Sequence, residues 1–151
     1  MPEKETLRRA RRDKRQGKAA STQAGEFVRE EIHHVREGKH GARSTKQAIA
    51  VGLSKARRAG VKLEAPPKSA KRSTKRSAAA ASRAGRKRTR PSPRRSRASL
   101  RRLKREPHRT ASRKALSRQA KNAAKRRSAA SRSAAARKAA RTRARRAASA
   151  A

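Results

Sequence analysis

The residues best placed to do chemistry form a short turn, Gly38-Lys39-His40-Gly41, followed by Ala42-Arg43. Two glycines three apart let a backbone approach a phosphate closely. Lys39, Arg43 and Lys46 bring positive charge to the same place. A helix should begin just downstream, and the first N–H groups of a helix lack partners and favour anions. A plainer use exists for the same residues: Gly38 stops one helix and Gly41 turns the chain. Phosphate contact would be a role added to that turn. Arg57 and Arg58 continue the list of phosphate-binding candidates. So do the basic runs Arg86-Lys87-Arg88, Arg94-Arg95, Arg126-Arg127 and Arg145-Arg146, since each cation beside a phosphate displaces a counterion.

Other chemistries find little support. There is no Cys, so disulfides, thiolate nucleophiles and Cys-based metal sites are excluded. His33 stands three residues from Glu30, and His34 three from Glu31, a spacing that puts each pair on one helical face. His40 is the third histidine in this region, but adjacent histidines on a helix point in different directions and do not form one site, and there is no second partner set. No metal site and no cofactor are expected. The serines concentrate in the second half of the chain, and the carboxylates are expected on an exposed helix face. No nucleophile, base and orienting group come together, so no catalytic residues are assigned and enzymatic activity is not expected. Phe27 is the one aromatic residue, which disfavours a dedicated single-strand binder, because such proteins stack bases on aromatic rings.

Charge points to the partner. The chain has 151 residues and a formal charge of +40, which implies a polyanion. Residues 1–64 hold 17 Lys and Arg against eight acids, whereas residues 65–151 hold 32 against Glu106 alone. The composition changes at Glu64-Ala65-Pro66-Pro67. Three parts are therefore expected: a basic helical arm over 1–17, a helical hairpin over 18–64, and a low-complexity basic tail over 65–151. No apolar run is long enough for a membrane span, the N-terminus has no apolar signal core, and the tail has no apolar face to insert; a membrane partner is not expected.

These candidates need elements to hold them, and the spacing predicts an all-α protein. Helices are expected over about 3–16, 22–37 and 45–59. Pro2, Glu3 and Glu5 suit the start of the first helix and Gly17 its end. Ser21 or Thr22 is the expected cap of the second. Ala24, Val28, Ile32 and Val35 make its apolar stripe, with Phe27 beside them. Ser44-Thr45-Lys46-Gln47 fits a capping box at the start of the third. Ile49, Leu53 and Ala56 form a stripe there, and Ala48, Gly52 and Ala56 a track of small residues that admits a neighbouring helix. Gly60 with Val61 fits a Schellman ending. Phe27, Val28, Ile32, Val35, Ile49 and Leu53 are thus the expected core or partner face. Large apolar side chains are few, so a homodimer through residues 21–63 is an expectation beside a monomer.

Beyond Ala65, 32 Lys and Arg, 25 Ala and 13 Ser make up most of 87 residues. Only Leu100, Leu103 and Leu116 are large and apolar. A disordered free tail is expected, with helix over about 110–148 once a polyanion removes the charge repulsion.

Several resemblances bear on these residues. Gly38–Gly41 resembles the G-x-x-G loop of KH domains, which clamps a nucleic-acid backbone between two helices. The strands of that fold have no counterpart here, so the likeness is confined to the loop. The hairpin is comparable with a DNA-reading helix-turn-helix, but its linker is longer and its third helix starts with few base-reading side chains. Ser92-Pro93-Arg94-Arg95 resembles the Ser-Pro-basic-basic elements of histone tails. The stretch STQAGEFVREEIHHVREGKHGARSTKQAIAVGLSKARRAGVKL, within a match over residues 1–63, resembles a family of small basic bacterial proteins known as a domain of unknown function. The tail is similar in style to tails of that family and of linker histones. The family resemblance implies a bacterial cytoplasmic protein and carries over no site residues. The expected function is non-specific nucleic-acid binding by an architectural, nucleoid-associated protein, with DNA favoured over RNA. An RNA- or ribosome-associated protein, or a protein-interaction module tethered by its tail, are the alternatives.

Overall fold

The computed structural model describes residues 2–87 and 92–148, without the side chain of Arg146. Among the described residues are seven α-helices, one 3-10 turn and no strand. The protein is all-α. Its residues divide into two units, 1–115 and 116–151.

In the first unit, α1 (Lys4–Arg15), α2 (Ala20–Arg36) and α3 (Thr45–Arg58) come close to their expected bounds. The largest departure is the start of α2. Ala19 takes the N-cap position without a side-chain cap, and Ser21 and Thr22 fall inside the first turn. The Ala19 carbonyl accepts from the N–H groups of Thr22 and Gln23, so the helix begins on backbone bonds alone. Ser44 does cap α3, its hydroxyl accepting from the Gln47 N–H at 3.2 Å, while the Gln47 amide oxygen accepts from the Arg43 N–H at 2.7 Å. α2 ends at Gly38, whose φ of +73° suits glycine alone at little cost. The Lys39 N–H then reaches back to the His34 carbonyl and closes a Schellman motif.

The core lies where α1 and α3 meet α2. Phe27, Ala24, Val35 and Ala56 are fully buried, with Ile32, Ala48 and Ala10 nearly so, while Leu7, Leu53, Val61 and Leu63 pack against the cluster of Ala10, Ala24, Phe27 and Ala56. Val28 and Ile49 are half-buried. Burying a side chain of the size of Phe27 contributes about 1.5–3 kcal/mol. The small-residue track is what lets α3 approach. A Cβ on Gly52 would stand 2.7 Å from the Val28 Cα, so any larger residue must push the two backbones apart. The apolar face of α2 and the track of α3 thus cover each other within one chain.

The chain beyond Ala65 is not the disordered tail that its composition suggests. It forms α4 (Arg72–Arg86), α5 (Pro93–Lys104), a 3-10 turn (Arg109–Ala111), α6 (Arg113–Lys125) and α7 (Ala129–Ala148). The last two fall in the span where helix was expected; α4 and α5 do not. Ala and Arg are good helix formers, and small residues provide contacts that a count of large apolar side chains overlooks. α4 packs on α3 with Ala81 buried and Gly85 against the Arg57 carbonyl. The segment from Leu103 to Ala111 docks through hydrogen bonds instead of bulk. Ser112 caps the start of α6 by accepting from the Ala115 N–H.

In the second unit Ser128 likewise accepts from the Ser131 N–H at the start of α7. No residue described in it is buried.

Candidate functional site

The turn after α2 is built by two neighbours. Its first half is exposed: Gly38 and Lys39 face solvent, as do Arg43 and Lys46 beyond it. Its second half is turned inwards. Gly41 donates its N–H to the Leu103 carbonyl at 2.9 Å, and Ala42 donates to the Pro107 carbonyl at 3.1 Å. A Cβ on Gly41 would collide with the Glu106 carbonyl, so this glycine serves a close approach of backbones. Three more bonds secure the same docking. Arg36 Nε donates to the Ala111 carbonyl at 2.8 Å, Thr45 Oγ1 to the Thr110 carbonyl at 2.6 Å, and Thr110 Oγ1 to the Ala42 carbonyl at 3.0 Å. The backbone donors at 41 and 42 are therefore occupied by the protein's own carbonyls, and His40 and Gly41 lie off the surface.

Buried charge lies immediately behind the turn. Glu30 and Glu31 were expected on an exposed face of α2, yet both are buried. Lys55 on α3 accounts for this: its ammonium bonds Glu30 Oε1 at 2.9 Å and also contacts Glu31 Oε1. Burial pulls the Lys55 ammonium downwards, but the bonds to Glu31 and Glu30 outweigh it and hold the group above its ordinary value. For Glu30, burial pushes upwards, and the bond from Lys55 with the Glu3 N–H at 3.0 Å prevails and lowers it. Glu3, at the start of α1, closes the cluster. Its Oε1 takes a bond from His34 Nε2 at 2.8 Å and a longer one from Lys39 at 3.4 Å. The bond from His34, then that from Lys39, keep the Glu3 carboxyl below its usual range. Lys39 also pairs with Glu37 at 3.0 Å, and this bond raises Lys39 and lowers Glu37.

The two α2 histidines separate as expected from their adjacency. His33 is exposed and pairs with Glu37 at 2.8 Å, while His34 points inwards. His40 then comes round the turn to meet His34, their rings edge to face with centroids 5.9 Å apart. Glu31 stands between them, with Oε2 3.6 Å from His40 Nε2 and Oε1 3.7 Å from His34 Nδ1. The sequence offered no second partner set for His34, and the chain reversal supplies one in His40. One signal was present: Phe27, Glu31 and Val35 are four apart, which puts Glu31 on the buried stripe. In the sequence Glu3 marked only the start of α1, and nothing pointed to Lys55 as the partner of Glu30 and Glu31.

The remaining candidates are spread over the surface. Arg58, Arg86, Lys87, Arg94 and Arg95 are exposed and Arg57 is half-buried, its guanidinium donating to the Glu64 carbonyl at 2.8 Å. On α5, Arg94, Arg97, Arg101 and Lys104 surround the exposed Leu100. In the second unit Arg126, Arg127 and Arg145 are exposed. Arg88 and the side chain of Arg146 lie outside the described residues.

The class this fold defines is a small all-α protein, with a three-helix core extended by basic helices. Residues 4–69 match a family of unknown function (DUF6496), a span that covers α1 to α3 and ends before α4. No curated protein and no solved structure matches the chain.

Proposed function

We propose that this is an architectural DNA-binding protein that acts by neutralising phosphates, with little sequence preference, in the nucleoid of a bacterial cell. The observation that carries the reading is the charge and its distribution. Of the 49 Lys and Arg, twelve lie in residues 116–151, where there is no Asp or Glu. The acids are concentrated elsewhere and largely occupied: Glu3, Glu5, Asp13, Glu26, Glu30, Glu31 and Glu37 all pair with Lys or Arg of the chain. The exposed basic helices are left to an external polyanion, whose binding releases counterions. Lys39, Arg43 and Lys46 offer a secondary contact beside the turn. RNA is the weaker choice: the one Phe, Tyr or Trp side chain of the sequence, Phe27, is buried, so few rings are left to stack on unpaired bases.

Fluorescence anisotropy with a random-sequence duplex tests this. If about 20 phosphates are engaged, log affinity falls against log salt with a slope of about −18. Ending the chain at Ala115 removes the twelve cations and flattens that slope by up to about 11. A slope that is unchanged by the truncation, or a duplex RNA that outcompetes duplex DNA at equal salt, would overturn the reading.

A further inference from the structure

We propose that Glu31, His34 and His40 form a binding site for a divalent transition-metal ion of the zinc type, held by two imidazole nitrogens and one carboxylate oxygen. One ligand atom from each residue lies within 4.8 Å of the other two. The separations of 3.6 Å and 3.7 Å between Glu31 and the two rings are too long for hydrogen bonds. The 3.6 Å from Glu31 Oε2 to His40 Nε2 is close to the edge of a tetrahedron around zinc, about 3.4 Å for bonds of about 2.0–2.1 Å, whereas the 3.7 Å to His34 Nδ1 is measured from the other oxygen, Oε1.

The protons on the two rings are assigned by their other partners. His34 Nε2 meets Glu3 Oε1 at 2.8 Å, and His40 Nδ1 meets the Gly41 carbonyl at 3.1 Å. A carboxylate and a carbonyl only accept, so each of these nitrogens carries a hydrogen and donates it. The other ring nitrogens face the Glu31 carboxylate, His34 Nδ1 towards Oε1 and His40 Nε2 towards Oε2, and in a neutral ring, the form that binds a metal, these carry the lone pairs. Metal-bound histidines show this pattern: the far ring N–H is given to a carboxylate or a backbone carbonyl, which holds tautomer and orientation. Glu31 and His40 are buried, so the three ligand groups meet with little access for water. Lys55 occupies the Oε1 side of Glu31 together with Glu30, and leaves Oε2 facing His40. Two nitrogens and one oxygen suit zinc and its neighbours rather than calcium or magnesium, which take oxygen ligands. A bound ion would pin the turn to α2 and, through Glu3, to the start of α1.

The test uses the full chain, freed of metal by a chelator and titrated with zinc chloride by calorimetry. One saturable site and a raised melting temperature are expected. Long-range nitrogen spectra should shift for His34 and His40, with His33 and His108 unmoved. His40→Ala should lower affinity by at least about 100-fold, and Glu3→Ala, which removes only the outer acceptor, by about 10- to 100-fold. His33→Ala should leave affinity unchanged. The wild-type titration and histidine spectra decide even if His40→Ala does not fold. No saturable site on the wild-type chain, or spectra that shift for His33 instead of His34 and His40, would overturn the proposal.

Discussion

Replacing Gly41 with alanine probes the least expected feature of the fold, the docking of residues 103–111 against the turn. The added Cβ would overlap the Glu106 carbonyl and stand 3.0 Å from the Pro107 carbonyl oxygen. Neither is the flexible end of a side chain, so the segment must move. The bonds from Gly41 to Leu103 and from Ala42 to Pro107 are lost first. At about 0.5–1.5 kcal/mol each, their loss costs about 1–3 kcal/mol. This makes local opening about 5- to 150-fold more populated. Hydrogen exchange at the Ala42 amide should accelerate by that factor, and trypsin should cut after Arg105 and Arg109 correspondingly faster. Gly17→Ala is the control: its φ of +65° strains an alanine, but nothing lies within 4 Å of the new Cβ. It should lower the melting temperature without exposing those tryptic sites. If Gly41→Ala leaves exchange at Ala42 and cleavage at Arg105 and Arg109 as in the parent, the docked arrangement is refuted.

Lys55→Met leaves Glu30 and Glu31 without their common cation. Loss of a buried partner costs about 3–5 kcal/mol, and the lower end is expected because 21% of the Lys55 side chain stays exposed; chemical denaturation measures it. The pH dependence has a definite sign. Glu30 is lowered from 4.5, so its contribution is complete above that pH and is lost as pH falls through the lowered value. Lys55 is raised from 10.5, so its contribution is complete below that pH and is lost as pH rises through the raised value. The stability difference between parent and Lys55→Met should stay level from about pH 5 to about pH 10 and narrow on either side; widening at either extreme would contradict the pairing. Phe27→Ala, at a site with no exposure, should cost about 3–5 kcal/mol by the same measurement.

What the sequence determined by itself is local. Helix periods, the Ser44 cap and the glycine ends at Gly38 and Gly60 were legible because each rests on contacts within a few residues along the chain, and the small-residue track of α3 was legible as a spacing, although its partner, Val28 on α2, is not local. The strong positive charge needs no fold at all. What only the tertiary structure decided depends on partners far apart in sequence. Glu30 and Glu31 could not be known as buried without Lys55 from the next helix. His40 could not be known to face His34 until the turn folded back. The role of Gly41 emerged from Glu106, 65 positions away, whose carbonyl leaves no room for a side chain. α4 and the docked turn after α5 were hidden for a related reason: alanine contributes little to any hydrophobic count, yet Ala81 and Ala111 become fully buried once a helix or turn presents them to a matching surface.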